Sequence, residues 1–289
     1  MGKVTVIGSI NMDLVVSTTH MPGQGETVLG KEFITYPGGK GANQAVAAAR
    51  TGAEVTMIGA VGRDAFGEKM MENLHKEGID TKHVALVPEQ STGTATIILS
   101  DGDNRIIVAP GANHELSKEM VAQKKEEIET SDVVLMQLEI PIEVVEEVTV
   151  IAAEAGVPVI LNPAPYRNLS ENIRNRVSVL TPNESEYNQM HSSLTGEEEI
   201  VITRGEEGVE HKGEMIGGYS VDVVDTTGAG DTFNGVLAAR IAEGEKVKEA
   251  IVVANAASAL SVTMKGAQSG MPFREEVEAF LEDNKDPGS

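Results

Sequence analysis

DVVLMQLEIPIEVVEEVTVIAAEAGVPVIL, residues 132–161, decides the fold. Asp132–Met136 reads as a short buried strand. Pro141 is suited to open a helix and Gly156 to close it. Val157–Leu161 then reads as a second strand. Strand, crossover helix and strand in this order make a βαβ unit, which implies a parallel sheet with helices on both faces.

The same rhythm extends in both directions. Downstream come strands Val177–Thr181 and Ile200–Thr203, a β-rich stretch over 208–224, and long helices near 229–242, 247–263 and 274–282. Upstream come strand Lys3–Gly8, an Ala-rich helix Gly41–Arg50 stopped by Gly52, strand Val55–Ile58, and a helix Phe66–Lys76 closed by Gly78. Ser117 is expected to cap a helix running to about Glu129. Two strand-rich segments break the rhythm, near 10–40 and 92–109. The first holds Asp13–Ser17, Thr27–Leu29 and Glu32–Tyr36. In the second, Thr94–Leu99 and Arg105–Val108 flank the turn Asp101-Gly102-Asp103-Asn104. They are read as a small β lid built from two insertions into one α/β domain spanning 1–289. The terminal Asp286–Ser289 reads as a disordered tail.

Composition narrows the function. The chain has 289 residues, with 23 Lys and Arg against 45 Asp and Glu, for a net charge of −22. Such an acidic surface opposes binding to nucleic acid or to anionic membranes. There is no cysteine, which excludes disulfides, iron–sulfur clusters, thiolate zinc sites and a cysteine nucleophile. The start of the chain enters a strand without a secretory pattern, and no apolar run approaches membrane-spanning length, so a cytoplasmic location is expected. The histidines show no metal-ligand spacing.

Two glycine-rich segments carry candidate chemistry. Asp225-Thr226-Thr227-Gly228-Ala229-Gly230-Asp231-Thr232-Phe233 follows a β stretch, Tyr219–Val224, and opens a helix with a core-facing stripe at Phe233, Leu237 and Ile241. Backbone N–H groups at a helix N-terminus suit a phosphate. Asp231 is either a first-turn acid complementing the helix dipole or a base beside a bound phosphate. Pro37-Gly38-Gly39-Lys40-Gly41-Ala42-Asn43 also leads into a helix, but it is not a Walker A loop. It is either a flexible turn or a polar cradle for substrate hydroxyls.

With Gly8-Ser9-Ile10-Asn11-Met12-Asp13, these segments resemble the ribokinase/PfkB family of sugar and nucleoside kinases over nearly the whole chain. The resemblance implies a three-layer α/β/α fold with a mostly parallel sheet, a β lid over the sugar, and a homodimer formed through that lid. It places Asn11, Met12, Asp13, Gly39, Lys40, Gly41, Ala42, Asn43 and Glu139 on the sugar. Asn183 lies near the nucleotide phosphates and Glu186 on a Mg²⁺ water network, although Thr181–Glu186 also reads as a helix cap. Thr203, Arg204, Gly205, Glu206, Glu207 and Gly208 lie along the nucleotide. Arg204 stands where the family usually has an apolar residue, and either meets a phosphate or is solvated. Asn255 either approaches adenine or is a buried Asn satisfied by backbone. Asp225, Thr227, Ser261, Met264, Gly266 and Gly270 match a K⁺ site, with Gly270 standing where a Ser hydroxyl is common.

The expected reaction is ATP-dependent phosphorylation of ribose at its 5-hydroxyl, with Asp231 as general base and Gly228, Ala229 and Gly230 as the anion hole. The alternatives are another sugar or nucleoside kinase of the family and, from a different class, a non-catalytic sugar or nucleotide sensor.

Overall fold

The computed structural model describes residues 1–100, 103–196 and 198–284. The chain begins with β1 (Lys3–Ile7), β2 (Asn11–Ser17), β3 (Glu32–Gly38), α1 (Lys40–Arg50), β4 (Glu54–Gly62), α2 (Ala65–Lys76), β5 (Asp80–Val87), β6 (Gly93–Ser100) and β7 (Asp103–Ala109). It continues with α3 (Lys118–Ala122), α4 (Lys125–Glu129), β8 (Val133–Met136), α5 (Ile142–Ala155), β9 (Val159–Leu161), α6 (Glu171–Arg174), β10 (Val179–Leu180) and α7 (Glu184–Met190). It ends with β11 (Val201–Thr203), β12 (Gly208–His211), β13 (Glu214–Gly217), α8 (Ala229–Ala242), α9 (Val247–Ser261), α10 (Ala267–Gly270) and α11 (Arg274–Asp283).

The central sheet has the order β10-β9-β8-β1-β4-β5, and every pairing is parallel. β1 is buried on both faces from Val4 onward, and its one buried polar side chain, Thr5, is hydrogen-bonded to the Ser131 hydroxyl at 2.6 Å. Val4 and Val6 enter the core shared with α1, α8 and α9, while Ile7 enters the core shared with α5. Helices therefore cover both faces, as the βαβ pattern requires. Pro141 stands at the N-terminus of α5, and Gly156 caps its end with φ +72°.

The approach of α1 to α8 is close. A β-carbon on Gly235 would lie 2.4 Å from the Gln44 carbonyl oxygen and 2.7 Å from the Ala47 β-carbon. The small residues of α1 and this glycine let the two helices touch, and the side chains of α1 thereby reach the start of α8.

The two strand-rich segments form a separate sheet, β3-β2-β6-β7. Each is an antiparallel hairpin, and the hairpins join through a parallel β2–β6 pairing. Asp101 and Gly102 of the expected turn lie outside the described residues; Asp103 pairs with Ser100. A third sheet, β11-β12-β13, is antiparallel.

Several local expectations are corrected. Thr27–Leu29 is not a strand. The helix expected from Ser117 is two short helices, because the chain turns at Gln123–Lys124, where Lys124 N–H donates to Val121 O at 2.8 Å. Ser117 does cap the first. Tyr219–Val224 joins no strand; Val224 and Asp225 N–H groups share the Val262 carbonyl, at 2.8 and 3.1 Å. α10 was not foreseen. The tail Asp286–Ser289 lies outside the described residues. Among the described residues, no helix is long and apolar enough to cross a membrane.

Candidate active site

Open parallel sheets bind ligands beyond the carboxyl ends of their strands, where the chain leaves in opposite directions. Here that point lies between β1 and β8. The chain leaves β1 through Ser9 and Ile10 into β2, and leaves β8 through Gln137 and Glu139 toward α5.

Asn11 opens β2 and Asp13 follows two residues on, so both face the same way. Asn113 fixes Asn11: its Oδ1 accepts from Ile10 N–H at 2.9 Å and its Nδ2 donates to Asn11 Oδ1 at 2.7 Å. The Asn11 oxygen is thus occupied, and its NH₂ is available as a donor. Met12 points the other way, and its side chain is fully buried in the core. Burial, followed by the Glu139 and Asp231 charges, pushes Asp13 up to about 7, with Lys40 opposing.

The 37–43 segment is less open to a ligand than a cradle would be. Gly39 has φ +87°, and a β-carbon there would lie 2.6 Å from Asn11 N. One on Gly41 would lie 2.7 Å from the Gly8 carbonyl carbon. These glycines seat α1 against the protein's own β1–β2 connection, and Ala42 is buried. Lys40 N–H donates to Glu139 Oε2 at 3.2 Å, and the same carboxylate accepts from the Ser9 hydroxyl. The Asp231 carboxylate, with Glu139, Glu186 and Asp13 behind it, holds the Lys40 ammonium above its ordinary value against burial.

Asp231 lies in the first turn of α8 and is 8% exposed. Asn43 Nδ2 donates to its Oδ2 at 2.9 Å, and Gln44 Nε2 to its Oδ1 at 3.0 Å. Gly228, with φ +82°, caps the helix. A β-carbon on Gly230 would meet nothing within 4 Å, so this position borders open space. A cavity of about 130 Å³ is lined by Lys40, Asn183, Glu186, Gly228, Gly230 and Asp231. A larger cleft of about 900 Å³ runs from Asp13 along the small sheet to Asp225–Thr227 and Lys265–Ala267.

On the far side of Asp231, Asn183 and Glu186 form a reciprocal cap on α7 while also lining the smaller cavity. Burial pushes the Glu186 carboxyl up, against the Asn183 N–H and Lys40. Thr203 bridges to Asn183. Arg204 donates to Glu210 Oε2 and to Glu184 Oε1, each at 2.6 Å. Gly205–Glu207 form a short turn, and Gly208 has φ +102° with a β-carbon position 2.2 Å from the Ile216 carbonyl oxygen. Asn255 is buried, and its Nδ2 donates to the Gly217 carbonyl at 2.8 Å.

Asp225 ties two loops together. Its Oδ1 accepts from Thr227 N–H at 2.9 Å and its Oδ2 from Gly266 N–H at 2.8 Å. Burial pushes this carboxyl up, but the two loops' hydrogen bonds outweigh it and hold it below the ordinary value. Ser261 and Gly270 are buried together, and a β-carbon on Gly270 would lie 2.2 Å from the Ser261 carbonyl oxygen. A serine at 270 would require that carbonyl to move. Met264 is exposed. Among the described residues, no three His, Cys, Asp or Glu side chains cluster as a metal site.

Gln44, Gln137 and Gln268 were missed in the sequence. A buried amide in an Ala-rich helix carries no local signal when its partner is 187 residues away, as Asp231 is from Gln44.

The chain is similar to known proteins over nearly its whole length. The family described as pfkB family carbohydrate kinase matches residues 1–274. A ribokinase of Bacillus subtilis is 46% identical over 292 residues, covering 97% of this chain and all of the relative. The structure of ribokinase from Thermotoga maritima superposes with a TM-score of 0.89 at 36% identity, covering 98% of this chain and all of that one. Arabidopsis thaliana ribokinase, solved with ribose and ATP, gives 0.90 at 32% identity, covering 97% of this chain and 99% of that one.

Proposed function

This chain belongs to the pfkB family of carbohydrate kinases, and from that premise we propose a ribokinase that transfers the γ-phosphoryl group of ATP to the 5-hydroxyl of ribose. The observation that carries the reading is the position of Asp231. Its buried carboxylate sits between the Asn11–Asp13 side of the cleft and the Gly228–Gly230 helix terminus, held by Asn43 and Gln44.

Asp13 accepts sugar hydroxyls, and Asn11 donates through its NH₂. Asp231 takes the proton of the 5-hydroxyl as its oxygen bonds to the γ-phosphorus and the bond to the ADP oxygen breaks. The N–H groups of Gly228, Ala229, Gly230 and Asp231 stabilise the charge on the group in transfer. Lys40, a cation beside Asp231, faces the same cavity and adds positive charge there. The small sheet acts as the lid, excluding water so that ATP is not hydrolysed instead.

Glu186 and Asn183 suit Mg²⁺ held through water, since Mg²⁺ prefers oxygen donors and retains water. Asp225, with the Thr227, Ser261, Met264 and Gly266 carbonyls, offers an all-oxygen set suited to K⁺. Bound there, the cation would neutralise Asp225 and stiffen the anion hole. Exposed Phe33, Ile106 and Ile107 on the small sheet support a homodimer through that sheet.

The test measures ADP release with ribose, 2-deoxyribose, adenosine, fructose and no sugar. Ribose should give the highest kcat/KM. Preference for another acceptor would replace the substrate, and binding without ADP release would favour a sensor.

A further inference from the structure

The Asp231 carboxylate is the meeting point of two chains of side-chain amides. In one, Asn73 Nδ2 donates to Gln268 Oε1 at 2.8 Å, Gln268 Nε2 to Asn43 Oδ1 at 2.9 Å, and Asn43 Nδ2 to Asp231 Oδ2 at 2.9 Å. In the other, Gln137 Nε2 donates to Gln44 Oε1 at 2.6 Å, and Gln44 Nε2 to Asp231 Oδ1 at 3.0 Å. Gln44 Nε2 also reaches Asn162 Oδ1 at 3.3 Å, and Asn162 in turn donates to the Thr181 carbonyl.

The direction of both chains follows from one charge. An ionised carboxylate only accepts hydrogen bonds. Asn43 and Gln44 must therefore turn their NH₂ groups to Asp231 and their oxygens away. Those oxygens need donors, so Gln268 and Gln137 must turn NH₂ groups toward them, and Asn73 must do the same for Gln268. The Gln137 oxygen is left buried without a partner, which is the cost of this direction. Reversing Gln137 would set two oxygens against each other.

We infer that Gln268 and Gln44 are positioning residues, which orient the Asp231 carboxylate by fixing the direction of the amides that grip it. The inference rests on Asp231 being the base. Gln268 matters most because it lies outside the cleft's sugar and phosphate contacts and belongs to α10. Its backbone is pinned independently, since Arg50 Nη1 donates to the Gln268 carbonyl at 2.7 Å and to the Met271 carbonyl at 2.8 Å. The side chain can thus be changed while the segment stays anchored.

The test reverses the chain from its far end. Asn73 is half-buried on α2, two amide links from Asp231. In Asn73→Asp the new carboxylate only accepts, so Gln268 must turn its NH₂ outward. Asn43 then turns its NH₂ to Gln268 and presents its oxygen to Asp231. Losing that donor favours the protonated Asp231. Asp13 and Lys40 interact with the Asp231 charge, Glu139 and Glu186 act on it only through Lys40 and Asp13, and none of them is altered. At saturating ribose and ATP, kcat near neutral pH should fall roughly tenfold, the scale of one hydrogen bond to a charged group, and the acid limb of kcat should move to higher pH.

A new charge also acts through space, so Asn73→Asp is repeated on a Gln268→Met background, which keeps the bulk and cuts the chain. The substitution should then change neither kcat nor the pH profile beyond Gln268→Met itself. Gln268→Leu replaces it should the Met protein fail to fold. Equal effects of Asn73→Asp on both backgrounds, or no effect on either, would overturn the inference. Asp231→Asn in parallel separates the two levels. If it is inactive while the amide variants are indifferent, the base stands and the positioning chain falls. If it turns over normally, both fall.

Discussion

Gly228 and Ala267 stand so close that a β-carbon on the glycine would lie 2.8 Å from the Ala267 β-carbon. Gly228 also has φ +82°, where a side chain costs about 1 kcal/mol even in open space. Gly230, two residues on, has neither restriction. Gly228→Ala should therefore lower Tm as well as activity. Gly230→Ala should keep Tm while its methyl group enters the cavity and lowers kcat/KM for ATP. Calorimetry and steady-state kinetics on the two variants distinguish a glycine needed for packing from one needed for space.

Asp231→Asn removes a charge that two amide donors address. The new amide cannot accept from Asn43 and Gln44 through both of its heavy atoms, and it cannot take a proton from a hydroxyl. We expect kcat to fall by at least about 10²-fold, the scale of general-base loss, with ribose affinity nearly unchanged. Titration calorimetry with ribose alongside the kinetics checks both parts, and near-normal turnover would remove Asp231 from its role.

Asp13 has a pKa of about 7 against an ordinary 3.8. An acid raised in this way holds its proton more tightly folded than unfolded. The contribution of this carboxyl to folding stability therefore falls as pH rises from 3.8 to about 7 and is constant above. Asp13→Asn should raise the Tm of the ligand-free protein near pH 8, and the gain should fade toward pH 4. Ribose hydroxyls favour the ionised form, so ribose should bind more weakly below about pH 7 and release a proton on binding near it. Titrations in buffers of different ionisation enthalpy read that proton directly.

Asp225 holds the Thr226–Gly228 turn to Gly266 and supplies the one formal charge of the proposed cation set. Activity should be higher in KCl than in NaCl at equal ionic strength, and Asp225→Asn should blunt the difference. Equal rates in KCl, NaCl and a bulky organic cation salt would remove the cation from the reaction.

Much of the scaffold was legible in the sequence, because local rules and tertiary packing agreed there. Pro141 and Gly156 bound α5 as their backbone preferences dictate, and the valine- and isoleucine-bearing β1 and the apolar run of β8 became central parallel strands. Tyr219–Val224 misled because a valine-rich pattern records burial and extension but not a partner strand. Ser117–Glu129 misled because a helical composition does not reveal a turn at Lys124. At the site, glycine spacing singled out the segments but not what each glycine faces. Gly39 and Gly41 serve contact with the protein's own backbone, whereas Gly230 borders the cavity. Arg204 and Asn255 have partners outside their own motifs, Glu184 and Glu210 for the first and the Gly217 carbonyl for the second.

The order of strands has a consequence for biosynthesis. In the central sheet β1 emerges first from the ribosome; β4 and then β5 add on one side, and β8, β9 and β10 on the other. In the small sheet β2 is likewise first, with β3 added at one edge and β6 then β7 at the other. No strand has to be inserted between two that are already paired. Both sheets can therefore grow outward in step with translation, each new strand meeting an open edge, and α8 delivers Asp231 after its two direct donors, Asn43 and Gln44, have been made.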